Sequence, residues 1–121
     1  MIVIRPEQTT AFRDEAVSDF ESRAVRHLRT HLAGPTAEQT DEQLRLRVRG
    51  CIYRAGTYGL TSEKQIMCFT NATYLIGNEF DTAESWAKTL LASEKATPPE
   101  KSEAILAMAY VIARNRAAAG G

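Results

Sequence analysis

The sequence predicts an all-α protein, a compact irregular bundle of about five helices forming one domain over residues 1–121. Three observations predict it. Apolar residues recur every three or four positions in five separate stretches, which is the spacing of one helix face. Four of those stretches open on a capping pair, a Ser, Thr or Asp followed three residues later by Gln or Glu. The period-two alternation of a half-buried strand is missing beyond the first few residues.

The first helix is expected from about Pro6 to Leu32. Pro6 suits a first helical turn, where a missing N–H costs nothing. Phe12, Ala16, Phe20, Ala24, Leu28 and Leu32 then recur at four-residue intervals, and Ala33-Gly34-Pro35 stops the pattern. Before it, Ile2, Val3 and Ile4 are all β-branched and precede Pro6, so residues 1–5 read as an extended arm. The second helix starts at Thr40, boxed with Gln43, and carries Leu44, Val48, Cys51, Ile52 and Ala55 inward; Gly56 and Gly59 end it.

The third helix starts at Thr61 or Ser62, with Gln65 completing a box, and is apolar on most sides. Ile66, Phe69, Thr73 and Ile76 form one face; Met67, Cys68, Ala72 and Leu75 form another. A helix apolar nearly all round belongs in the middle of a bundle. Gly77 follows it. A short fourth helix is expected from an Asp81–Glu84 cap, with Trp86, Ala87, Leu90 and Leu91 inward. The fifth begins at Thr97, with Pro98 and Pro99 in its first turn and Glu100 closing the box. Its expected core stripe is Ala104, Ile105, Met108, Val111 and Ile112, and residues 117–121 are expected to fray.

Composition narrows the function classes. A hydrophobic fraction of 44% over 121 residues is enough for a core without disulfides or a structural metal. A net charge of zero argues against a dedicated nucleic-acid binder, which needs an excess of Lys and Arg. Cys51 and Cys68 sit in apolar stretches and read as buried free thiols. The opening apolar run is too short for a secretory signal, and residues 104–113 are too short to span a bilayer, so no membrane partner and a cytoplasmic location are expected.

Chemistry-bearing patterns are sparse, and neither an enzyme nor a cofactor is expected. His27 and His31 share a helix face at metal-ligand spacing, but only Asp19 offers a third ligand nearby, so no metal site is expected. Neither cysteine has a histidine close in sequence to activate it. Gly56-Thr57-Tyr58-Gly59 lacks the Lys and Ser/Thr of a phosphate loop. Glu79 and Asp81 read as two solvated acids near a helix start. The turn after the second helix resembles a helix-turn-helix at Ala55 and Gly59, but Gln65 stands where an apolar residue is needed and Ile66 comes one place late.

The most distinctive segment runs from Tyr58 to Leu91. Tyr58-Gly59-Leu60-Thr61 forms a turn, an apolar helix follows, then Gly77-Asn78-Glu79-Phe80-Asp81, then Trp86 and Leu90-Leu91. This resembles small helical proteins encoded beside type VI secretion effector genes in Gram-negative bacteria. The match covers about a third of the chain, and its residues also have structural explanations. The resemblance implies a co-chaperone that binds an effector-loading adaptor chaperone. An immunity protein that neutralises a cognate toxin is the alternative, followed by a small helix-turn-helix regulator. The surface expected to meet a partner combines an apolar patch on the fifth helix (Leu106, Tyr110), a charged rim from the second (Arg45, Arg49) and the arm residues Ile2 and Ile4.

Overall fold

The computed structural model describes residues 11–120, with side chains from residue 15 onward. Seven helices and no strand occur among the described residues. They are α1 (Ala11–His31), α2 (Ala33–Thr36), α3 (Asp41–Thr57), α4 (Glu63–Ile76), α5 (Phe80–Ala83), α6 (Ser85–Ala92) and α7 (Pro98–Gly120). The fold is all-α, as the apolar periodicity predicts. The two helices beyond the expected five are single turns. α2 is the Ala33–Pro35 stop itself, wound into a turn whose Pro35 needs no intrahelical donor. The expected start at Pro6 and the arm at residues 1–5 lie outside the described residues.

α4 is the central helix, packed by α1, α3 and α7. Ile66, Cys68, Phe69, Thr70, Asn71, Ala72, Thr73 and Ile76 are all buried on it. Phe69 is the hub: its ring lies 5.0 Å from that of Phe80 and 6.1 Å from that of Tyr58. Burying one such side chain contributes roughly 1.5–3 kcal/mol. α1 and α3 bring Phe20, Ala24, Leu28, Val48, Cys51 and Ile52 to the same core. The α5–α6 segment acts as a crossover, so α4 and α7 run parallel. Gln65 and Ser102 line one cleft at their first turns, and Arg116 of α7 donates to the carbonyl of Ile76 at 3.0 Å.

Three of the four expected caps form as read. Thr40 with Gln43 and Ser62 with Gln65 close complete capping boxes, and Thr97 with Glu100 exchanges bonds of 2.8 and 3.3 Å. α3 ends in a Schellman turn: Leu60 N–H bonds the Ala55 carbonyl and Gly59 N–H bonds that of Gly56, with Gly59 at φ 83. Gly77, at φ 130 and ψ 143, occupies a region open in practice only to glycine.

Asp81 corrects the fourth expectation. Neither α5 nor α6 has a side-chain cap, and Asp81 is buried. Phe80 plugs the core and draws residues 80–83 into their own turn, which turns Asp81 toward α3 instead. The tail also differs from expectation. Residues 117–120 continue α7, consistent with the alanine run having the highest helix propensity.

Candidate interaction surface

α7 is anchored along one side only. Lys101, Ser102, Ile105 and Ala109 are its buried residues, and it packs on α4 and more lightly on α6. Lys101 is a long side chain with its ammonium turned inward, donating at 2.9 Å to the carbonyl of Leu91 at the end of α6. That carbonyl is one of those a helix C-terminus leaves without a partner, and it lies at the negative end of the helix dipole. With that side fixed on α4, the other side of α7 faces out. Tyr110 is 50% exposed, and Val111 and Met108 are exposed at other angles around the helix.

Of the residues expected on the fifth helix, Tyr110 is thus exposed and Leu106 is half-buried. Met108 and Val111 were expected inside and are outside; Ile105 and Ala109 hold the core position. Ile112 and Ala113 pack against the edge of the core.

Arg45 and Arg49 stand elsewhere. Both reach from α3 to Glu21 of α1, whose carboxylate is 1% exposed. Arg45 donates to Glu21 at 3.2 Å and also to the Ser22 hydroxyl; Arg49 donates twice, at 2.9 and 3.0 Å. The two arginines therefore solve a burial problem, since a buried carboxylate needs charge and donors to offset its desolvation. They do not form a rim around Tyr110: α3 packs on α1 and α4, and α7 packs on α4 and α6. Ile2 and Ile4 lie outside the described residues.

The remaining arginines of α3 are held too. Arg54 donates to Asp81 and Asn78, and Arg47 donates to the Thr73 carbonyl at 2.9 Å with its guanidinium 4.1 Å from the centre of the Tyr74 ring. The helix-turn-helix geometry does not materialise, because α4, where a recognition helix would stand, is the helix enclosed by the others.

The chain matches no protein-family model, no curated protein and no solved structure.

A cleft of about 340 Å³ lies between α1 and α4, lined by Arg23, His27, Glu63 and Lys64 among others. Arg23 grips Glu63 through two bonds of 2.8 and 2.9 Å, which holds that carboxyl below its usual range and occupies it as a base. Burial, with His31 adding to it, lowers the pKa of His27, and Nε2 of that ring lies 3.4 Å from the Asn71 amide. Asp19 pairs with Arg23, and among the described residues no three His, Cys, Asp or Glu side chains are grouped to hold a metal. Cys51 and Cys68 are buried free thiols, and burial raises both pKa values, which disfavours thiolate chemistry. No helix among the described residues is long and apolar enough to cross a membrane.

A second exposed apolar pair, on α3, was missed in the sequence. Leu46 is 56% exposed and Tyr53 is 64% exposed. The signal was present: the two are seven residues apart and lie opposite the inward stripe of Leu44, Val48, Cys51 and Ala55. It is hidden by the run of arginines that shares the helix.

Proposed function

We propose that this chain is a non-catalytic, cytoplasmic protein-binding module, a co-chaperone that engages an effector-loading adaptor chaperone of a type VI secretion system. The observation that carries the binding role is the outward side of α7. A half-exposed Tyr, with the half-buried Leu106 one turn before it on the same helix face, is the apolar, aromatic surface that protein interfaces use, and Tyr supplies a rigid ring with a polar tip. What supports the secretion reading is the segment from Tyr58 to Leu91. Its Tyr-Gly-Leu turn and its Gly-x-x-Phe-Asp turn are the residues of the resemblance, and here they form one joined unit through Arg54, Tyr58, Phe80 and Asp81. These are fold residues, so the resemblance bears on the architecture that presents α7.

Purification of the tagged chain from its native cell, with the co-purifying material identified, tests the reading. An adaptor chaperone in stoichiometric amount is the expected result. A secreted toxin would replace the co-chaperone role with immunity, and DNA would replace both with regulation.

A further inference from the structure

The outward face of α3 carries a glycine with no internal reason to be there. Gly50 lies mid-helix and exposed, where glycine is about 1 kcal/mol less favourable than alanine. A Cβ at this position would meet nothing within 4 Å. Its φ is not positive, unlike those of Gly59 and Gly77. Packing and backbone geometry within the described residues thus leave Gly50 unexplained. It is flanked by the two most exposed large hydrophobics among the described residues, Leu46 one turn before and Tyr53 one turn after. At 3.6 residues per turn the three fall within about 60° of one another, on the side facing away from the core. The result is a notch between two apolar ridges, the shape into which a second helix packs closely.

Charge indicates what kind of helix. Arg45 and Arg49 border this seam on one side, and Arg47 and Arg54 border it on the other. Against these four arginines stand three carboxylates: Glu21 is shared by Arg45 and Arg49, Asp81 takes Arg54, and Glu42 acts on Arg49. Arg47 is held by Thr73 and the Tyr74 ring, both uncharged. Glu42 lies at the N-terminal end of the seam, and the rest of the border is cationic. The guanidiniums are already fixed by their hydrogen bonds, so less side-chain entropy is lost when a partner arrives.

We infer that the Leu46–Gly50–Tyr53 seam of α3 is a docking site for an acidic amphipathic helix of a partner protein, with an apolar residue of that helix seated over Gly50 and its carboxylates on the bordering arginines. This surface is separate from the outward side of α7, and it stands or falls independently of the co-chaperone reading.

The test titrates the full-length chain, by fluorescence anisotropy, with a panel of labelled synthetic helical peptides. Each carries Leu, Ile or Phe anchors at i, i+3, i+4 and i+7 and glutamates on both borders; matched peptides carry lysines instead. Saturable binding of acidic peptides is expected, weakened by salt, with the lysine peptides about tenfold or more weaker. Two variants separate docking from folding. The Leu46→Ala, Tyr53→Ala double variant loses binding at an unchanged melting temperature. Gly50→Leu fills the notch, so it also loses binding while its melting temperature rises, because leucine is the better helix former. Tyr110→Ala on α7 leaves peptide binding unchanged. No saturable binding by any acidic peptide, equal binding of acidic and basic peptides, or full binding by the α3 variants overturns the inference, as does loss of binding on Tyr110→Ala.

Discussion

The hydroxyl of Tyr58 donates to the carboxylate of Asp81 at 2.7 Å, tying the turn after α3 to the turn after α4. Arg54 completes the arrangement from the last turns of α3, donating to the same carboxylate and to the Asn78 carbonyl. Asp81 is 4% exposed, so each donor replaces water the carboxylate has lost. With the Phe69 and Phe80 rings in tilted contact beside them, the two turns form one structural joint. Tyr58→Phe should remove one hydrogen bond and cost about 1 kcal/mol, whereas Asp81→Ala should strand both donors and cost roughly 3 kcal/mol. Urea denaturation of the two variants measures this; equal and negligible effects would show the joint to be ornamental.

The same joint sets an alkaline limit. Burial, followed by the Asp81 hydrogen bond, raises the pKa of Tyr58 to about 12. The unfolded phenol ionises near pH 10, so above that pH the unfolded chain releases a proton that the folded chain keeps. The contribution is whole below pH 10 and is lost as pH rises toward 12. Stability measured from pH 8 upward should fall over that window, and Tyr58→Phe should flatten part of the fall.

Two glycines should respond in opposite directions. Gly77→Ala places a side chain at φ 130 and should cost about 1–3 kcal/mol from backbone strain alone, since a Cβ there would touch nothing. Gly50→Ala in α3 should stabilise by about 0.5–1 kcal/mol. Thermal melts of both variants check the pair of signs.

How far local sequence carried the reading depends on where each residue's partner sits. Thr40, Ser62 and Thr97 find their capping partners three residues away, so those helix starts were readable. Asp81 carries the same signature with Glu84, but its real partners are Arg54 and Tyr58, more than twenty residues back in the chain. No local pattern reports such a pairing. α4 declared itself central because it is apolar on most sides. α7 is apolar on several sides yet packs along one, and its contact with α4 decides that Ile105 and Ala109 go inside while Met108 and Val111 stay out. Arg45 and Arg49 looked like a free charged rim because Glu21 lies on another helix.

That last pairing changes how Arg49 can be used as a probe. Arg49→Glu would set a second carboxylate against Glu21, which is already buried, and should destabilise the protein by about 2–4 kcal/mol. Arg49→Ala leaves Arg45 in place and should cost much less. If guanidinium denaturation finds Arg49→Glu neutral, Glu21 has another route to water or charge.

The central claim, that the outward side of α7 binds another protein, rests most directly on Tyr110. The measurement is the affinity of the co-purified partner for wild type and Tyr110→Ala by titration calorimetry, with melting temperatures taken in parallel. A half-exposed anchor predicts a loss of about 2 kcal/mol or more in binding with the melting temperature unchanged. Undiminished affinity in a folded variant contradicts the claim, and so does a variant that unfolds, because Tyr110 would then belong to the core.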